Sequence, residues 1–300
     1  MRSMNKQLFL ILISVILLLV TSNCSRDDEF TDSIFIDTEE MNPNSPTYNF
    51  DVWLQDHFLS PYNLSFKYKM EDVGSQMDYN LVPASLEKSK QLAQLIKYLW
   101  FDVYAEMVDE EFMKNYGPRM IHLIGSPAYN PNSGTILLGT AEGGIKITLY
   151  SCNQLDYNNP DMMNEFYFKT MHHEFVHILH QTKMYPNDFE QISAGNYTPM
   201  GWQFLSETEA ARKGFVSVYS ASQAREDFVE IIANYLVKTD NDWNRVLTLA
   251  GDEGKTIILK KLEICSSWLT DKWGIDIEVM RKEIIRRQQL IDDEFFINDL

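Results

Sequence analysis

Basic residues are scarce in this chain: 26 lysines and arginines face 43 aspartates and glutamates, a formal net charge of -17 over 300 residues. A surface of that sign repels phosphate backbones, which excludes nucleic acid as a partner. Cysteine is rarer still, at three residues, and no internal repeat is visible. Only one long apolar run occurs, from Leu8 to Val20. As a helix it would be about 20 Å long, short of the roughly 30 Å of hydrocarbon that a membrane span must cross. No histidine follows His180. What the chain does have is 45% hydrophobic and 13% aromatic residues, enough for one large core or two modest ones in an enzyme-sized body.

Arg2 and Lys6 precede the apolar run, as the charged and apolar regions of a signal peptide do, so residues 1–23 are expected to be a leader. The run ends in Thr21-Ser22-Asn23-Cys24 and is followed by Ser25-Arg26-Asp27-Asp28-Glu29. Here the chain resembles bacterial lipoproteins, in which such a cysteine is lipidated, and the acidic run looks like the export signal of surface lipoproteins of the Bacteroidetes. The resemblance implies lipidation at Cys24 and an outer-membrane, surface-exposed location. The plainer readings are cleavage near this point in a secreted protein and an ordinary solvated acidic tether. All of these put the body outside the cytoplasm. Cys152 and Cys265 then remain, either to pair or to lie as two buried free thiols.

From position 24 to Pro46 the chain is polar and proline-containing, a flexible spacer. Thr47 to His57 has helical spacing and Leu64 to Tyr68 alternates as a half-buried strand does. Ser85 opens a long amphipathic helix reaching about Val108, with Leu92, Leu95, Ile96, Leu99, Trp100 and Val103 on one face. Met120 to Ile124 predicts a strand. Thr135–Leu138 and Gly144–Tyr150, around Gly139 and Gly143, predict a hairpin with a glycine-permitted turn in a small antiparallel sheet. Beyond Pro160 the pattern is helical over about 161–183, 203–212, 222–238, 241–249, 254–271 and 276–292. Strands early and helices late predict an α+β domain over 47–300, with an α+β part (47–183), a helical part (184–300) and a cleft between them.

His172, His173, His177 and His180 fall within nine residues of the 161–183 helix, and His173-Glu174-Phe175-Val176-His177 is an H-E-x-x-H motif. Residues i and i+4 share a helix face, so both imidazoles can reach one zinc ion, while Glu174, turned about 100° from His173, can reach a water on the metal. His172 and His180 point away from that edge and read as surface or supporting residues. Catalytic zinc takes three protein ligands and keeps one position open. With no later histidine the third must be a carboxylate, and Arg225-Glu226-Asp227-Phe228-Val229-Glu230 is the best run. Glu226 and Glu230 share a face, so one can bind metal while the other orients a ligating histidine.

These residues, with Tyr219 before them, resemble the gluzincin peptidases, and among those the zinc-binding metallopeptidase lipoproteins of the Bacteroidetes, described as substrate import-associated zinc metallohydrolases. The resemblance implies a zincin-like fold, Zn2+ bound by His173, His177 and Glu226, Glu230 bonded behind a ligand, and the Tyr219 hydroxyl near the reacting carbonyl. Glu230 and Asp227 are the substitutes for Glu226. It also implies a peptide or protein substrate and an association with an outer-membrane nutrient importer.

The expected chemistry is amide hydrolysis, with Glu174 taking a proton from water and returning it to the leaving nitrogen. An edge strand in the Gly139–Tyr150 hairpin would pair with an extended substrate. Two alternatives stay open: a non-catalytic binding lipoprotein of a nutrient-capture system, and a zinc hydrolase of another amide, such as a cell-wall or glycan-linked peptide.

Overall fold

The computed structural model describes residues 41–70, 79–129, 136–137, 139–142 and 145–291. The expected leader, Cys24, most of the tether and the Gly143-Gly144 turn lie outside them.

Helix α1 (Tyr48–Leu54) continues through a π turn (Gln55–Leu59) into Ser60–Tyr62, where Asn63 in the left-handed region ends it and delivers strand β1 (Ser65–Lys67). Ser85 accepts from the Lys88 amide and opens α2 (Leu86–Ile96), which passes through a second π turn (Lys97–Phe101) to Asp102–Met107. A short α3 (Phe112–Tyr116) leads to β2 (Met120–Leu123). Next come β3 (Ala128–Tyr129), β4 (Ile136–Leu137), β5 (Gly139–Glu142) and β6 (Lys146–Leu149).

The main sheet has the order β1-β2-β6-β5. Contrary to the antiparallel expectation, β1 pairs parallel with β2 and β2 parallel with β6, and only β5 runs antiparallel, to β6. The reason is connection length. The return from β1 to β2 passes over α2 and α3, a crossover that delivers a parallel neighbour, and short-range alternation carries no information about it. Ile121, Leu123, Ile147 and Leu149 are fully buried, and His122 and Thr148 on the opposite face are buried too, as central strands of a parallel sheet are.

The predicted hairpin exists, but its first arm is β5, while β4 pairs with β3. Gly139 is therefore a strand residue. A Cβ there would lie 2.3 Å from the Thr170 methyl group, so glycine is what lets β5 come against the motif helix.

That helix, α4 (Lys169–Thr182), is approached through Pro160–Met163 and a third π turn (Asn164–Phe168). Asn159 caps its lead-in by accepting from the Met162 amide, with Pro160 at the first helical position. The inner face of α4 carries Met171, Phe175, Val176 and Leu179, all buried. Phe175 sits edge-on to Trp100 and Tyr104 of the α2 segment at 5.6 and 5.0 Å, which fixes the helix in rotation as well as position.

Beyond α5 (Asp188–Ile192), α6 (Glu207–Arg212) starts later than its predicted position. Trp202–Phe204 forms a tight 3-10 turn, and Ser206 with Glu209 makes a reciprocal capping box. Helix α7 (Ala224–Val237) is almost wholly buried and packs along α4. Helix α8 (Asp240–Trp273) is broken at Gly251, whose φ of 65° and ψ of -175° favour glycine, so the two predicted helices are two in fact. Helix α9 (Ile277–Gln288) closes the described chain, and one apolar core runs from Phe50 to Ile284 through both predicted halves. Cys152 and Cys265 are both buried free thiols, and burial pushes Cys152 up to about 12. None of the described helices is long and apolar enough to cross a membrane.

Candidate metal centre

Helix periodicity turns His173 and His177 to the same side of α4, toward the first turn of α7. The amide ends of that turn favour the carboxylates of Glu226 and Asp227. His173 Nε2 and His177 Nε2 each lie 3.1 Å from Glu226 Oε2 and 3.2 Å from each other. Tetrahedral zinc with bonds of about 2.0–2.1 Å separates its ligand atoms by about 3.3 Å, so this triangle is of the size that such an ion requires. Among the described residues no other three His, Cys, Asp or Glu side chains converge in this way.

The hydrogen bonds behind the triangle point the lone pairs inward. His173 Nδ1 donates to Glu230 Oε1 at 2.8 Å, which leaves Nε2 free to bind. Glu230 is held in turn by Ser217, whose Oγ donates to Oε2 at 2.5 Å, and by Asn234 at 3.1 Å. Burial alone would lower the His173 pKa, yet Glu226 and Glu230 on its two sides raise it to about 10. Charges that hold a proton so firmly at this point favour any cation there. Burial also opposes ionisation of Glu226 and Glu230. For Glu226 the His173 and His177 imidazoles outweigh it, and for Glu230 the Lys169 charge and the His173 hydrogen bond do. Both carboxyls stay below their ordinary range. The outer oxygen of Glu226, Oε1, accepts from Gln223 Nε2 at 3.2 Å.

Glu174 is half-buried beside the triangle, and burial raises its pKa above the usual carboxylate range. Tyr219 stands in the 3-10 turn Tyr219–Ala221 that leads to α7, 38% exposed, with its ring 5.8 Å from that of His173. Burial of its hydroxyl, then the Glu226 charge, raises its pKa. Trp202 stands edge-on to Tyr219 at 5.1 Å, so a second aromatic ring borders the metal-facing groups on that side.

The family model described as "Putative zinc-binding metallo-peptidase" matches residues 43–278. The chain belongs to this family. A solved structure described as a putative zinc-binding metallo-peptidase, from Bacteroides caccae ATCC 43185, is similar to it at 46% identity. The likeness has a TM-score of 0.72 and covers 81% of this chain and 94% of that one. Among curated proteins none matches.

The H-E-x-x-H helix and the acidic run are brought together in this chain, with His173, Glu174, His177, Tyr219, Glu226 and Glu230 close to one another. Asp227, the other substitute ligand, faces away. It is buried against Lys261, 2.5 Å from its Nζ, and accepts from the Tyr197 hydroxyl at 2.9 Å. His172 and His180 are both buried, so the surface half of their reading fails, and His180 takes the supporting half. His172 is enclosed by Trp100 and Tyr104, with its Nδ1 3.2 Å from the Tyr104 hydroxyl, and burial lowers its pKa to about 3. His180 Nε2 lies 3.0 Å from His177 Nδ1. Ser217, Gln223 and Asn234 were not singled out as site residues. Of the three, only the i, i+4 spacing of Glu230 and Asn234 could have flagged one.

Proposed function

We propose that this chain is a zinc-dependent peptidase of the gluzincin kind, with His173, His177 and Glu226 as the metal ligands. The observation that carries this reading is the 3.1–3.2 Å triangle of metal-facing atoms with the half-buried Glu174 beside it. Zinc bound there supplies the Lewis acidity that acidifies water and polarises a carbonyl. Glu174, its pKa raised by burial, takes a proton from the attacking water and passes it to the leaving nitrogen. Tyr219 donates its hydroxyl proton's hydrogen bond to the carbonyl oxygen as negative charge develops. Strand β5 is an edge of the sheet and runs against α4 at Gly139, which suits it to pair with an extended backbone.

A structural zinc site takes four protein ligands, whereas three converge here among the described residues; this favours hydrolysis over the binding-lipoprotein reading. We further propose anchoring through a lipid on Cys24 at the outer surface of the cell, beside a nutrient importer. The catalytic part is tested with a fluorogenic peptide library on zinc-loaded wild type and Glu174→Gln. Cleavage by the first and a loss of about 100-fold or more in the second supports it. Equal cleavage by both, with zinc retained, sinks it.

A further inference from the structure

We infer that His180 is a positioning residue that fixes the ligand His177 by accepting its Nδ1 proton. The inference rests on the reading of His173, His177 and Glu226 as metal ligands. It does not depend on which bond is cleaved.

The metal-facing atom of His177 is Nε2, which lies 3.1 Å from Glu226 Oε2 and 3.2 Å from His173 Nε2. A neutral imidazole carries one proton, so a free lone pair at Nε2 puts that proton on Nδ1. Among the described residues the group within hydrogen-bond reach of Nδ1 is His180 Nε2, 3.0 Å away, one helical turn further along α4. His180 must then hold its own proton on Nδ1, an atom that is buried without a protein partner. Metal binding and the tautomers of both rings are therefore one event.

His180 is held in place for this role. It is 3% exposed, and its ring stands edge-on to Tyr185 at 5.5 Å. Tyr185 stacks at 4.4 Å on Phe228 of α7, two residues from Glu226, and its hydroxyl donates to Glu190 at 2.9 Å. The Tyr185 ring thus joins the two helices that carry the ligands. The two ligating histidines are also supported unequally. His173 has a carboxylate behind it, while His177 has a neutral ring that accepts without adding negative charge. Outer partners of this kind orient the ligand ring and set its basicity.

The test uses the full chain and reads zinc affinity, by competition with a chelator of known strength, in wild type, His180→Leu and His180→Gln. Leucine fills the space but cannot accept, and is expected to raise the zinc dissociation constant about 10- to 100-fold. Glutamine offers an amide oxygen near the Nε2 position, and is expected to stay within about threefold of wild type. Leucine binding zinc as tightly as wild type, or glutamine losing as much as leucine, overturns the proposal.

Imidazole nitrogen NMR of the zinc-loaded wild type gives an answer even if a variant does not fold. His180 protonated at Nδ1, with Nε2 as a bare acceptor, supports the assignment, and a proton on His180 Nε2 refutes it. A wild type that takes up no zinc overturns the metal reading and this one with it. A wild type that binds zinc but cuts no peptide leaves the result on His180 standing.

Discussion

Glu226 contributes one of the three metal-facing atoms, and geometry gives the two other carboxylates beside it, Glu174 and Glu230, different tasks. Glu174 faces no ligand atom within hydrogen-bond reach among the described contacts, so Glu174→Gln is expected to keep zinc and to lose about 100-fold or more of kcat. Glu230 acts through His173 Nδ1, and Glu230→Ala is expected to weaken zinc binding about 10- to 100-fold, measured by chelator competition. Tyr219 serves the carbonyl oxygen instead, and Tyr219→Phe is expected to lower kcat about 100-fold with zinc retained. Unchanged turnover in that variant would remove Tyr219 from the reaction. Most of this was legible in the sequence, because an i, i+4 pair on a helix needs no tertiary knowledge to share a face. The family resemblance favours Glu226 over Asp227, whereas periodicity alone leaves the choice open: adjacent residues diverge by about 100°, and packing decides which meets α4 and which meets Lys261. His180 stayed ambiguous for the same reason.

Elements carry the site through two packed pairs. Helix α7 is tied to α8 by the Asp227–Lys261 pair, both side chains fully buried, with Lys261 also donating to the Gly214 carbonyl at 2.8 Å. Burial raises Asp227 to about 6 and lowers Lys261, against the attraction between them. Lys261→Met leaves the carboxyl without its cation and is expected to cost about 3–5 kcal/mol, read as a shifted urea midpoint. Helix α9 is clamped differently. Arg286 and then Arg287 donate to Glu283 and hold its carboxyl at about 2, while Arg287 also reaches the Tyr98 carbonyl in the π turn after α2 at 2.7 Å. The unfolded carboxyl takes up its proton near its ordinary value of 4.5, so this stabilisation is present above that pH and is lost as pH falls toward 2. Urea midpoints at pH 5 and pH 3 are expected to differ less in Glu283→Gln than in wild type; equal differences would contradict the clamp. Helices were readable from apolar spacing down to the break at Gly251, whereas strand direction was not. Parallel pairing of β1, β2 and β6 is decided by crossovers of many residues, and Gly139 owes its place to Thr170 on a distant helix rather than to a turn.

At the scale of the whole molecule, one apolar core holds a mixed sheet and a helical half around α4 and α7, so the ligand triangle is built by two helices that meet in the middle of the fold. The chain's net charge of -17 attracts basic peptides, and cleavage of a lysine-rich substrate is expected to slow as salt is raised, seen in kcat/KM. The central claim is that His173, His177 and Glu226 together hold zinc. It is tested most directly by elemental analysis of zinc per chain in wild type and Glu226→Ala after metal reconstitution. The account predicts one zinc in the wild type and its loss in the variant. A wild type that takes up no zinc, or a Glu226→Ala protein that keeps its full complement, would contradict it.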